Sequence, residues 1–379
     1  MKKLIIAVNH SYPDSTGGCE KVVSQISEGL SSLYDYECVI LSNSAKKYST
    51  NNGIKTYPCK MVEREFIDQI NAIKADHIFV YSDSFYQWPF MVQQANRIDC
   101  SKSVALVGMN AMLSNRFLFE QFKKNSDYFS IITHSDNYQD YTKCSENSIP
   151  VSVIPNAVDL NEFDIQNSHF REKYNISEKL IILCVSNFFV GKGQEFLLPI
   201  LSSLEKKVED FIVVFISSTS QWPMLETRRK TISAKIGKAN FKSLFLNDIP
   251  RSDVVSAFLE SDLFVFPSQK EVSPLVILES MASSTPWVGL SVGNLGQLSG
   301  GIVIDWNKKD GNDFLSYNNE LCALFCDRIN LLLSNDELRE KLSKSGREQI
   351  EKEYSLDSVL QKYDRFFSDS IDRFRNKVS

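Results

Sequence analysis

Short apolar runs alternate with longer amphipathic stretches along this chain, and the whole pattern occurs twice. Parallel strands connected by crossover helices produce such an alternation. The first half predicts strands at 4–9, 37–41, 77–81, 103–107, 129–133 and 151–154. The second half predicts strands at 180–186, 211–216, 242–246, 263–266, 287–289 and 301–304. The sequence therefore predicts an α/β protein built from two doubly wound, Rossmann-like domains.

The length and one turn locate the boundary between these domains. A chain of 379 residues is too long for one ordinary core, so two domains with a cleft between them are expected. The segment IPNAVD at 154–159 breaks the periodicity and marks a turn or hinge. After about residue 317 the chain is predicted to be continuously helical, with a break near Tyr354 and Ser355 and a last amphipathic segment at 356–374.

Charge and hydropathy exclude two classes of protein. The formal net charge of -5 disfavours a protein whose main work is to neutralise phosphate backbones, so no nucleic-acid partner is expected. No apolar run approaches the length that crosses a bilayer, and the N-terminal run 4–8 is too short for a signal peptide. We interpret that run as a buried first strand.

The cysteines and histidines form no metal-ligand pattern. The eight cysteines are scattered, only Cys322 and Cys326 are close, and the four histidines lie far apart. This usage is typical of reduced thiols in a cytoplasmic protein and predicts no metal site. The segment 116–124 carries apolar and basic residues, and such a helix either lies on an anionic membrane surface or packs into an ordinary core. The first alternative would place the protein peripherally at the inner face of the membrane.

Three strand-to-helix connections carry residues suited to a phosphorylated sugar ligand. Gly17 and Gly18 open a helix, where glycines allow close backbone approach and the exposed N–H groups favour an anion; a tight turn is the alternative. Lys192 stands at the second connection, where a lysine can meet a diphosphate as a point charge; a solvated surface lysine is the alternative.

The third connection is the most specific. It places Glu271 in a loop after a buried strand and Glu279 inside the following helix, near the carboxyl ends of the strands, where α/β folds bind ligands. Two carboxylates there can accept hydroxyls at two points along an extended ligand. For Glu279 a structural ion pair is the alternative, because a charge within an apolar helix needs a partner.

Together these motifs resemble the GT-B retaining glycosyltransferases of family 4 over nearly the whole chain. The resemblance is carried by Gly17-Gly18, the hinge 154–159, Lys192-Gly193 and the segment 271–282. It implies a GT-B fold with two Rossmann-like domains facing a central cleft. The acceptor-side domain would be 1–157 with the C-terminal helix 356–379 packed back on it, and the donor-binding domain would be 158–355.

The resemblance also implies the reaction and the roles of the site residues. The expected activity is retaining transfer of a sugar from a nucleotide-diphosphate sugar to a glycan or lipid-linked acceptor, in surface polysaccharide or glycoconjugate synthesis, without a cofactor or metal. Glu271 would contact the transferred sugar and Lys192 would neutralise the diphosphate, as the two catalytic residues. Glu279 would hold the donor ribose. The donor-binding set is Gly17, Gly18, Asn187, Lys192, Ser273, Pro274, Leu275, Val276 and Glu279.

Three departures from the family pattern bear on catalysis. Asn187 stands where an arginine is usual, Val272 where a glycine is common, and Gln297 where a glutamate is expected. They favour a rival hypothesis, a non-catalytic GT-B accessory protein that binds nucleotide sugar or glycan. A sugar-nucleotide epimerase is a third reading, for which the acid and base groups are not found. Arg251 would compensate for Asn187 if its loop faced the cleft.

Overall fold

The chain divides into two compact units in a computed structural model. That structure describes residues 1–11, 17–60, 64–82, 94–107, 116–125, 129–137, 139–165, 168–218, 223–305 and 318–378. The first unit comprises Met1–Ala157 and Leu356–Ser379, and the second comprises Val158–Ser355.

The first unit is built on a largely parallel sheet. Its strands are β1 (Lys2–Val8), β2 (Tyr36–Ser42), β3 (Ser49–Asn51), β4 (Ile54–Pro58), β5 (His77–Ser82), β6 (Ser101–Leu106), β7 (Phe129–Thr133) and β8 (Val151–Val153). Their order across the sheet is β3-β4-β2-β1-β5-β6-β7-β8, and only β3 and β4 pair antiparallel. Ile5 of β1 lies opposite Val39 and Ile78 in its two neighbours, and all three are buried. Leu4, Ile5 and Ile6 are consecutive in β1, so their side chains alternate between the two faces, and all three are 0% exposed. This central strand is therefore covered on both faces, as its apolar run predicts.

Helices cover this sheet. They are α1 (Gly18–Leu33), α2 (Arg64–Ile73), α3 (Arg116–Lys124), α4 (Gln139–Glu146) and the C-terminal helix (Leu356–Val378). The C-terminal helix packs on α1, β5 and β6, and it buries Tyr363, Phe367 and Ile371 in the first unit. It is joined to the second unit in sequence, but its apolar side belongs to the core of the first.

Helix α3 was the candidate for a membrane-surface helix. Phe119 and Phe122 of this helix are 4% and 0% exposed and join the core of the first unit, while Phe117 is exposed. The apolar side is therefore used for packing, which is the second of the two alternatives. In the part of the chain that the structure describes, no helix combines the length and apolarity needed to span a bilayer.

The second unit contains a fully parallel sheet. Its strands are β9 (Leu180–Val185), β10 (Phe211–Ser217), β11 (Lys242–Asn247), β12 (Leu263–Phe266), β13 (Trp287–Leu290) and β14 (Gly301–Ile304). The order is β11-β10-β9-β12-β13-β14, so the chain winds outward from β9 in one direction and then from β12 in the other. The strand order thus reverses between β9 and β12, which is the topological switch point of a Rossmann-type sheet.

Helices of the second unit lie on both faces of this sheet. They are α5 (Phe170–Lys173), α6 (Leu197–Leu204), α7 (Met224–Ile236), α8 (Arg251–Leu259), α9 (Leu275–Ala282), α10 (Asn319–Leu333) and α11 (Asp336–Gln349). The last stretch is not continuously helical as predicted, because Ser334 and Asn335 separate α10 from α11 and the Asn335 side chain caps α11. A turn of π-helix at Ile350–Tyr354 then ends at Ser355, whose extended backbone gives the predicted break.

Candidate functional site

The candidate site lies at the switch point of the second unit. The loops that follow β9, β12 and β13 meet there, because the carboxyl ends of adjacent parallel strands lie at one edge of a sheet. The Gln269 N–H donates to the Gly191 carbonyl at 2.7 Å, and the Asn294 N–H donates to the Val272 carbonyl at 3.0 Å. Backbone hydrogen bonds therefore tie the three loops to one another.

Lys192 and Glu271 are brought together at this edge. The Lys192 Nζ lies 2.6 Å from Glu271 Oε1, and the two side chains are 30% and 13% exposed. A cation and a carboxylate thus stand side by side, partly screened from water, directly outside the reversal point of the strands. A pair of this kind can neutralise a phosphate on one side and accept a sugar hydroxyl on the other.

Glycine makes this approach of the loops sterically feasible. Gly191 and Gly193 have φ of 90° and 81°, in the left-handed region that glycine adopts without strain. A Cβ on Gly193 would lie only 2.1 Å from the backbone carbonyl oxygen of Pro267. The glycine after Lys192 therefore allows the β9 loop to rest against the β12 loop, which positions Lys192 beside Glu271.

Asn187 is uncharged, and its hydrogen bonds hold the loop after β9 in place. Its Oδ1 accepts a hydrogen bond from the Ser218 N–H at 2.9 Å, which joins the carboxyl ends of β9 and β10. Its carbonyl accepts from Gln194 Nε2 at 3.0 Å, and the same amide donates to the Ser186 carbonyl. The part of Gln194 is not predicted from the sequence, although a buried side-chain amide is expected to be hydrogen-bonded.

Helix α9 begins at the site. Pro274 precedes its first turn, in which Leu275 and Val276 are half-buried, and the Ser273 Oγ accepts from the Asn294 amide at 3.3 Å. The first N–H groups of a helix have no intrahelical acceptor and carry partial positive charge. These four donor-binding candidates are therefore placed at a helix start that suits an anion.

Glu279 lies one turn further along α9 and has a cationic partner. It is 5% exposed, and its Oε1 is 2.7 Å from an Arg251 guanidinium nitrogen. Arg251 also contacts Glu162 Oε2, at 2.5 Å from Nη2 and 3.1 Å from Nε. Burial lowers the pKa of Arg251, but Glu279 and Glu162 raise it by more, so the net shift is upward. Arg251 is thus engaged with two carboxylates, and sequence reasoning gave no role to Glu162.

Gly17 and Gly18 belong to the other unit. Gly17 precedes α1 at the carboxyl end of β1 with ordinary extended backbone, and Gly18 is the first residue of the helix. The Glu20 carboxylate lies directly beside Gly17, where a side chain would begin. A negative charge already stands at this helix start, which suits hydroxyl recognition better than phosphate binding.

Val272 and Gln297, the other two departures from the family pattern, contact neighbouring residues through their backbone carbonyls. The Val272 carbonyl approaches Gly293, where a Cβ would lie 2.4 Å from it and φ is +57°. Gln297 is exposed, and its carbonyl accepts from Gln349 Nε2 at 3.0 Å. Within the described residues, no three His, Cys, Asp or Glu side chains are grouped so that they could hold a metal ion.

The chain is similar in sequence to a known family and to individual proteins. Residues 166–349 match the family described as Glycosyl transferases group 1. The Bacillus subtilis (strain 168) protein YtcC is 23% identical over 358 residues, which is 88% of this chain and 83% of that protein. Other curated relatives match over 34% to 66% of their own length.

Two solved structures share the fold over almost the whole chain. A sucrose-phosphate synthase from Thermosynechococcus elongatus superposes with a TM-score of 0.77 at 15% identity, covering 97% of this chain and 99% of that one. The structure of Anabaena Alr3699/HepE in complex with UDP superposes with a TM-score of 0.74 at 14% identity, covering 97% and 100%. The predicted fold class, a GT-B arrangement of two Rossmann-like domains, is confirmed.

Proposed function

We propose that this GT-B protein, whose residues 166–349 match the family described as Glycosyl transferases group 1, transfers a sugar from a nucleotide-diphosphate sugar to a glycan or lipid-linked acceptor, with retention of configuration. The observation that carries the proposal is the Lys192–Glu271 pair at the switch point of the second unit. Ligands of open α/β sheets bind outside this point. The pair offers one charge for a phosphate and one acceptor for a sugar.

Each residue of the second unit then has a separate part in holding the donor. Lys192 and the start of α9 face the diphosphate, since both present positive charge. Glu271 accepts hydroxyls of the transferred sugar, and Glu279 accepts those of the ribose. Asn187 contributes by holding the β9 loop in place through Ser218, so Lys192 is the main side-chain cation of the site.

The proposed reaction takes place on one face of the transferred sugar. The acceptor hydroxyl oxygen bonds to the anomeric carbon on the face from which the diphosphate departs, and the bond between that carbon and the phosphate oxygen breaks. The hydroxyl proton passes to the departing phosphate oxygen, so atoms and charge balance without a protein nucleophile. Lys192 stabilises the charge that grows on the leaving diphosphate, which is where preorganised electrostatics lowers a barrier. No cofactor or metal is part of this proposal.

The nucleotide is proposed by analogy. The Anabaena structure contains UDP and shares the fold, which makes UDP the first nucleotide to test. GDP and ADP complete the panel, since the described contacts do not distinguish the bases.

A second candidate function is a GT-B accessory protein that binds nucleotide sugar without turnover. The observation that favours it is the loss of charge at two positions, because Asn187 is engaged with a backbone N–H and Gln297 is neutral. A lost charge-assisted contact is worth about 1.5–3 kcal/mol, which slows an enzyme without abolishing its activity.

One experiment separates the two candidates. The full chain is incubated with UDP-, GDP- and ADP-sugars, and release of the nucleoside diphosphate is followed with and without a panel of glycan and lipid-linked acceptors. The enzyme hypothesis predicts slow donor hydrolysis and a product whose anomeric configuration, read by proton NMR, matches the donor. Binding without any release of nucleoside diphosphate would support the accessory hypothesis instead.

A further inference from the structure

Glu279 is a buried carboxylate in an apolar stretch of helix. Leu278 and Ile277 precede it, Met281 follows, and all three are at most 1% exposed. An ionised carboxylate at such a position is costly unless a cation and hydrogen bonds compensate. The cation is Arg251, 2.7 Å from Glu279 Oε1. Arg251, from the neighbouring helix α8, therefore compensates the carboxylate of Glu279.

The arginine at position 251 does not stabilise the helix that it begins. It is the first residue of α8, after Pro250. A positive charge at the start of a helix is unfavourable, because the N-terminal end of the macrodipole is itself positive. The position lies at the carboxyl edge of the sheet, since α8 follows β11. Its two carboxylate partners, Glu162 and Glu279, account for an arginine here.

Glu162 also holds the guanidinium, and it shares the Nη2 nitrogen with Glu279. It lies in a short 3-10 turn at Leu160–Glu162 and accepts from both Nε and Nη2 of Arg251. The guanidinium carbon also lies 5.7 Å from the centroid of the Phe163 ring. Arg251 is thus held by two contacts that do not involve Glu279, and a guanidinium fixed in this way defines the direction in which a paired carboxylate points.

We propose that Arg251 is a positioning residue, clamped by Glu162, that orients the Glu279 carboxylate toward the ribose hydroxyls of the donor nucleotide. This inference rests on the proposed function and goes beyond it, because Arg251 acts through Glu279 and not on the diphosphate. A lysine at 251 would supply the charge without the planar fork, so it would restore the function only in part.

The test measures discrimination between two nucleotides. The tightest binder among UDP, GDP and ADP is titrated by calorimetry into the full chain, alongside its 2′,3′-dideoxy counterpart, which lacks the ribose hydroxyls. The wild-type protein is expected to prefer the hydroxylated nucleotide by about tenfold or more, as for a charge-assisted hydrogen bond. Arg251→Met should reduce this preference to about twofold or less, and Arg251→Lys should give an intermediate value.

Arg171→Met is the matched control. Arg171 also lies in the second unit, pairs with Asp262 at 3.4 Å and donates to the Glu178 carbonyl, and its side chain is 31% exposed against 38% for Arg251. Glu178 and Asp262 precede β9 and β12, so this contact is at the amino edge of the sheet. Removing it should lower the melting temperature and leave the preference for ribose hydroxyls unchanged.

Four results of these titrations would overturn the inference or the function on which it rests. If Arg251→Met weakens both nucleotides equally, or keeps the wild-type preference, the arginine is only structural and the inference is wrong. If Arg251→Met does not fold, Glu162→Gln serves in its place, and an unchanged preference in that variant overturns the inference. A wild-type protein that binds the nucleotide without preference for its hydroxyls overturns the ribose role while leaving nucleotide binding intact. Absence of any nucleotide binding overturns the proposed function itself.

Discussion

At the residue scale, the proposed roles of Lys192 and Glu271 cannot be separated, because the two charges lie 2.6 Å apart. Each charge compensates the other when no ligand is bound. In the proposed complex, the donor diphosphate would contact Lys192 and the sugar hydroxyls would contact Glu271, so the pair would exchange one ionic contact for two ligand contacts. With Asn187 engaged by Ser218, little redundancy remains if Lys192 is lost.

Lys192→Ala should therefore reduce turnover more than it reduces binding. Loss of a charge-assisted contact costs about 1.5–3 kcal/mol in the ground state, or roughly tenfold or more in affinity, and more in the transition state as the leaving diphosphate gains charge. Nucleoside diphosphate affinity and donor consumption are measured for the same preparation. Lys207→Ala is the control, because Lys207 also pairs with a carboxylate at 2.6 Å, that of Asp327. Equal behaviour of the two variants would show that Lys192 is an ordinary surface lysine.

The buried imidazole of His77 should make the free energy of unfolding depend on pH. It is fully buried, both ring nitrogens lie 2.6 Å from serine hydroxyls of Ser101 and Ser103, and burial with the nearby charges of Lys102 and Arg373 lowers its pKa to about 3. Between pH 6.5 and about 3 the unfolded chain binds a proton at this imidazole and the folded chain does not. Stability is therefore lost as pH falls through this window, by about 1.4 kcal/mol per pH unit from this one group.

Urea denaturation between pH 6.5 and 4 measures the effect. The slope of unfolding free energy against pH should be smaller in His77→Asn than in the wild-type protein, by about the contribution of one proton. His169→Asn, which removes a side chain that is 71% exposed, should keep the wild-type slope. A wild-type slope in His77→Asn would mean that the buried imidazole does not govern this acid loss of stability.

The identities of the candidate residues could be predicted from the sequence, but their partners could not. Lys192, Glu271 and Glu279 follow from their places after strands and inside a helix. From the sequence, Arg251 is expected only as a substitute cation for the diphosphate. Its pairing with Glu162 depends on a contact across 89 positions of sequence, and no local pattern encodes such a contact.

At the element scale, the loop after β9 is shaped by its glycines. Gly193→Ala should be destabilising for two reasons: φ is +81°, and the new Cβ would meet the Pro267 carbonyl oxygen at 2.1 Å. Gly53→Ala is a close control, because Gly53 also has φ of +81° but nothing within 4 Å of a Cβ. The control should cost about 1–2 kcal/mol from backbone strain alone. In urea denaturation, Gly193→Ala should lower the free energy of unfolding by measurably more than Gly53→Ala does, and it should also weaken nucleotide binding. Equal losses of unfolding free energy in the two variants would mean that the loops after β9 and β12 are not in close contact.

Periodicity predicted most elements well and missed those with little apolar content. The strands Phe129–Thr133, Leu263–Phe266 and Gly301–Ile304 were predicted at their observed bounds. The β3–β4 hairpin was missed because its strands are short and half polar. Asn52 and Gly53, with φ of 47° and 81°, form the turn between them, and an Asn-Gly pair is the local signal that could have located it.

At the scale of the whole molecule, the repeated strand-helix pattern was sufficient to predict two Rossmann-like domains. Each sheet has its own reversal of strand order, next to β1 in the first unit and between β9 and β12 in the second. Core packing explains why the C-terminal helix belongs with the first unit, since Tyr363 and Phe367 are buried against it. The sequence could not supply the partners of the charged residues, on which the function proposed here depends.

The central claim is that the switch point of the second unit binds the nucleoside diphosphate of a sugar donor. Calorimetric titration of the full chain with UDP, GDP and ADP tests it most directly. We expect at least one of the three to bind with one site per chain, and this affinity to fall by about tenfold or more in Lys192→Ala. Failure of all three to bind, or an unchanged affinity in a folded Lys192→Ala protein, would contradict the claim.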